Sequence, residues 1–103
     1  MVIVQSRDVD TSATLQAELR PSGELVVTAR VASPEGSDGS DDYEAVYTVR
    51  ADEVPRLCAL LAVDPGELLE GLQGWLAPHG TAAAATWRAW LKAHDVAYEL
   101  TVR

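Results

Sequence analysis

A chain of 103 residues with 48% hydrophobic and 23% charged residues fits one globular domain with one core, and excludes fibrous and wholly disordered classes. Sixteen acidic against eight basic residues give a formal net charge of −8, which repels nucleic-acid phosphates and anionic lipid headgroups and excludes nucleic acid as a direct partner. The single cysteine excludes an internal disulfide, and no apolar run approaches the roughly 20 residues that span a bilayer, so the chain reads as soluble, cytoplasmic and without a membrane partner.

Met1 to Ser6 is read as an initial strand, with fraying of a terminal stretch this short as the alternative. Thr14 to Arg20 alternates Leu15, Ala17 and Leu19 against Gln16, Glu18 and Arg20, the period-two pattern of a strand with one buried face. Pro21-Ser22-Gly23 then supplies a short turn, and Glu24 to Ala32 places Leu25, Val27, Ala29 and Val31 on one side, which predicts an antiparallel hairpin. Residues 33 to 42 read Ser-Pro-Glu-Gly-Ser-Asp-Gly-Ser-Asp-Asp; without a large apolar side chain to offset the entropy of ordering, this predicts a mobile acidic loop. Tyr43 to Arg50 resumes the strand pattern, with Tyr43, Ala45, Tyr47 and Val49 on one face.

From Asp52 the period changes. Val54, Leu57, Cys58, Leu60 and Leu61 fall at helical spacing, with Asp52 predicted as N-cap and Pro55 tolerated in the first turn. Asp64-Pro65 predicts a cap and first helical position, followed by a stripe of Leu68, Leu69, Leu72, Trp75 and Leu76 that ends near Pro78-His79-Gly80. Thr81 is the predicted cap of a third helix carrying Ala83, Trp87, Trp90, Leu91 and His94 along one side. Val96, Tyr98, Leu100 and Val102 alternate with polar neighbours and predict a final half-buried strand. The order β-β-β-β-α-α-α-β over residues 1 to 103 predicts a single α+β domain: a mainly antiparallel sheet, made of an N-terminal meander and the C-terminal strand, with three helices packed on one face.

No motif for chemistry emerges from this order. Cys58 lies on an apolar stripe and reads as a small core residue, and neither His79 nor His94 has a partner at ligand spacing. Asp38, Asp41 and Asp42 with Gly39 lack the spacing and distal glutamate of a calcium loop, and no glycine-rich phosphate loop or nucleophile elbow is present. No catalytic, metal-ligating or cofactor-binding residue is assigned, and a non-enzymatic role is expected. Trp75, Trp87 and Trp90 could form an exposed anchor, but all three fall on apolar stripes and read as core.

The stretch from Val31 to Val49 is markedly one-signed, with Glu35, Asp38, Asp41, Asp42 and Glu44 and no lysine or arginine. The plain interpretation is a solvated linker that keeps a sheet edge from aggregating. The functional one is an acidic docking surface for a basic protein partner, in which the charges raise the association rate and Tyr43 or Tyr47 supplies contact area.

Three segments, Asp-Tyr-Glu-Ala-Val-Tyr-Thr-Val at 42–49, Val-Pro-Arg-Leu-Cys-Ala-Leu-Leu at 54–61 and Leu-Lys-Ala-His-Asp-Val-Ala-Tyr-Glu-Leu at 91–100, resemble small, acidic, uncharacterised actinobacterial proteins, some of them similar to immunity proteins of bacterial toxin systems. The resemblance rests on packing patterns and carries over no catalytic residue. It implies a protein that acts by occupying a partner, with Glu35, Asp38, Asp41, Asp42, Tyr43 and Glu44 set against a cationic surface such as the cleft of a nuclease toxin. A self-associating structural or regulatory module, and a small-molecule site between helices and sheet, are the alternatives.

Overall fold

Period-two alternation decides which side of the sheet is covered. The computed structural model describes residues 2–7, 12–32 and 43–102. Four strands come first, β1 (Val2–Arg7), β2 (Ser12–Leu19), β3 (Leu25–Ala32) and β4 (Tyr43–Val49), then three helices, α1 (Val54–Leu61), α2 (Leu68–Leu76) and α3 (Ala83–Ala93), and last β5 (Glu99–Val102). Every strand pairs antiparallel with its neighbour, in the spatial order β1-β2-β3-β4-β5. This is the α+β arrangement that the alternation predicts, with β5 returning beside β4 after the helices.

Leu15 and Ala17 of β2, Leu25, Val27 and Ala29 of β3, and Ala45, Tyr47 and Val49 of β4 are all buried, as their shared face requires. In β1 the register slips between the Val2–Gln16 and Val4–Leu15 pairs, and the extra residue, Ile3, joins the core. The β2–β3 turn closes through Gly23 N–H to Arg20 O at 2.8 Å and Arg20 N–H to Glu24 O at 2.9 Å. Gly23 sits at φ 96°, a conformation that side chains disfavour.

The helices meet this face with Val54, Leu57 and Cys58 from α1, Leu68, Leu72 and Leu76 from α2, and Ala83, Trp87 and Leu91 from α3. Full burial of a leucine is worth about 2 kcal/mol of transfer free energy. The tryptophans divide. Trp87 is wholly buried, whereas Trp75 and Trp90 are half-buried around it, with ring centroids 6.4 and 6.2 Å from that of Trp87. Core packing is therefore the role of Trp87, and the other two wall the cluster against solvent.

Several boundaries depart from the sequence pattern. Asp52 does not cap α1; Arg50 captures its carboxylate through Nε at 3.1 Å and Nη2 at 2.6 Å, and Glu53 takes the cap position without a side-chain bond. Leu60 points outward, 41% exposed. The Asp64-Pro65 start produces a single 3-10 turn, Pro65–Glu67, before α2 begins at Leu68. A second tight segment, Ala77–Ala82, passes through Gly80 at φ 54° and delays α3 to Ala83, so Ala82 and not Thr81 occupies the cap position. The final strand is shorter and less covered than predicted: Val96 is buried ahead of it, and all four residues of β5 are exposed because β5 lies at the sheet edge.

Candidate protein-binding site

The expected docking residues divide between the described part of the chain and the remainder. Glu35, Asp38, Asp41 and Asp42, and with them the predicted mobile loop at 33–42, lie outside the described residues. Tyr43 is the first residue of β4 and pairs with Val31. Glu44 pairs with Arg30 across β3 and β4, and the Arg30 Nη2 donates to its Oε2 at 3.2 Å. The segment 31–49 contains no cation of its own, but sheet pairing supplies one from the preceding residue. Glu44 is thus partly neutralised, with its side chain only 23% exposed.

These two side chains lie on the sheet face opposite the helices. Alternation places Gln5, Thr14, Gln16 and Thr28 there too, around a shallow hollow of about 360 Å³ that Arg30 and Glu44 help to line. Hydroxyl, amide and paired ionic groups can form hydrogen bonds with a docked surface. Elsewhere, Cys58 sits in the core, where burial, followed by the nearby charge of Asp64, pushes its thiol pKa up. That keeps it in the unreactive thiol form. Among the described residues no group of three or more His, Cys, Asp or Glu side chains could hold a metal ion. The carboxyl of Asp52 is held below its ordinary range, chiefly by the hydrogen bond from Arg50, in an ion pair exposed at the surface.

Register shows a grouping that the linear sequence conceals. Arg7 pairs with Ser12, Ser12 with Ala32, and Val31 with Tyr43, so four strand ends lie side by side at one end of the sheet. The chain between the first two carries Asp8 and Asp10, and the chain between the last two carries Glu35, Asp38, Asp41 and Asp42. No family model, curated protein or solved structure matches this chain. Asp8 and Asp10 lie more than twenty positions from Glu35 along the chain, so linear charge patterning does not connect them; only the meander order, in which both connections depart from the same end, relates them.

Proposed function

We propose that the protein is a non-catalytic protein-binding domain that docks a basic partner at the acidic end of its sheet, in the manner of an immunity-like inhibitor that occupies a toxin's cationic cleft. The observation that supports this is the common end shared by Arg7, Ser12, Ala32 and Tyr43, which tethers two acidic connections to the same place. Carboxylates carried on two connections that leave one end of the sheet, in a molecule with a net charge of −8, would steer a cationic surface toward that end and raise the association rate. Tyr43, the first residue of β4, supplies the aromatic contact in this proposal. Glu44 contributes less than its charge suggests, since a partner must compete with Arg30 for it.

The test is association kinetics with a basic partner captured from the native cell, measured across a range of salt concentrations. Replacing Asp8, Asp10, Glu35, Asp38, Asp41 and Asp42 by the corresponding amides should slow association about tenfold or more and flatten its salt dependence. Dissociation should change less. Association rates and salt slopes equal to those of the parent chain would remove this proposal.

A further inference from the structure

The two edges of the sheet are finished differently. At β1, the side-chain amide of Gln73 in α2 donates to Val2 O at 3.0 Å, so a helix side chain partners a backbone carbonyl of that edge strand. At β5, nothing besides β4 forms a hydrogen bond with the strand among the described residues. An exposed edge of this kind is a template for another strand.

The side chains beside that edge are also uncovered. Leu100 pairs with Tyr47 and Val102 with Ala45, which places both on the helix-side face, yet they are 39% and 62% exposed. Next to them, Tyr47 and the short side chains Ala84, Ala85 and Ala89 of α3 leave a hollow of about 320 Å³. Arg88 and Lys92 complete its lining. They lie one helical turn apart, a spacing at which like charges destabilise a helix by a few tenths of a kcal/mol. Arg30, Arg50 and Arg56 each have a carboxylate partner, but Arg88 and Lys92 have none among the described residues.

We infer that the hollow between α3 and Tyr47, together with the adjoining β5 edge, takes an extended acidic segment of a second protein, which adds to the sheet as a sixth strand. Main-chain hydrogen bonds to β5 supply the sequence-independent part of the affinity. An apolar residue facing the helix side covers Leu100 and Val102, while acidic residues two positions before and after it, on the same face, meet Arg88 and Lys92. A second copy of this chain fits poorly. Two-fold pairing of β5 with itself would turn the two α3 rims toward each other, cation against cation, with no acidic segment between them. β5 runs from Glu99, opposite Thr48, to Val102, opposite Ala45, two positions short of the Tyr43 end, and the Arg88 and Lys92 side of the hollow selects a partner of opposite charge to the one drawn to the acidic end.

The experiment is an NMR titration of the isotopically labelled chain with a blocked peptide, Thr-Glu-Thr-Val-Thr-Glu-Thr, and with its counterpart carrying lysine in place of glutamate. The acidic peptide should shift the amide signals of Glu99 to Val102 and Ala84 to Lys92, and should bind at least about tenfold more tightly than the basic one, about 1.4 kcal/mol. The double variant Arg88→Glu, Lys92→Glu, altered only at exposed positions, should keep the parent unfolding midpoint and reverse the preference. Equal affinity for the two peptides, shifts confined to the opposite sheet face, or no shifts at millimolar peptide would overturn the inference. Concentration-dependent shifts of β5 signals in the chain alone, with a dimer by light scattering, would also overturn it in favour of a second copy.

Discussion

Arg56, on α1, donates from Nη1 to the carbonyl oxygen of Asp95 at 2.9 Å and from Nη2 to that of His94 at 2.7 Å. The two acceptors sit just past the end of α3, where helix carbonyls have no partner within the helix and where Asp95 turns the chain at φ 54°. One planar guanidinium therefore joins the first helix to the last, with Glu53 Oε2 accepting from its Nη1 at 3.5 Å. Arg56→Ala should lower stability by about 1 to 2 kcal/mol in urea unfolding, since the bonds are charge-assisted but only partly shielded from water. Arg56→Lys should recover less than half of that, because an ammonium cannot reproduce the fork.

Gly71 and Gly74 both lie within α2, yet replacement by alanine should act oppositely. A Cβ at Gly74 meets nothing within 4 Å, so Gly74→Ala should stabilise by about 0.5 to 1 kcal/mol through helix propensity. At Gly71 the same atom would stand 2.9 Å from Val63 Cγ1, a stiff β-branched neighbour at half-buried depth. Gly71→Ala should be at least about 1 kcal/mol less favourable than Gly74→Ala in the same denaturation series.

The cross-strand pair of Arg30 and Glu44 should show a small, salt-sensitive coupling. A double-mutant cycle of Arg30→Ala and Glu44→Ala should give an interaction energy of about 0.3 to 1 kcal/mol at low salt, since the arginine is largely exposed. High salt should reduce it. The same cycle measured on partner association would show how far Arg30 restrains Glu44 from docking.

Cys58 predicts the alkaline limb of the stability curve. Its folded pKa is raised above the ordinary value of 9.0, principally by burial, so the folded state favours the protonated thiol. The associated stability is complete below about pH 9 and is lost as pH rises, because the unfolded thiol ionises first. Cys58→Ala should flatten that loss while lowering stability at neutral pH through the removed volume. Alkylation of the native thiol should be slow and should accelerate in urea.

The elements whose outward faces meet solvent and whose inward faces meet the core were legible in the sequence. Leu15 and Ala17, Leu25 and Val27, and Leu68, Leu72 and Leu76 show their burial in their spacing alone, because period two and period 3.6 leave no other consistent face. Helix beginnings were less legible. Asp52 is a good cap residue locally, but Arg50, two positions away, competes for its carboxylate and wins. The candidate site was legible only within one segment, since charge patterning along the chain links Glu35 to Asp42 but not Asp8 and Asp10 to either.

Composition and spacing by themselves determined the class of the protein, its five strands and three helices, and the acidic character of its longest connection. Those depend on neighbours within a few residues. Only tertiary structure decided the strand order, the grouping at one sheet end of the strand ends that flank two acidic connections, the pairing of Glu44 with Arg30, and the exposed edge of β5. Each of these joins positions far apart in sequence, and backbone pairing between strands, which no local pattern specifies, is what brings them together.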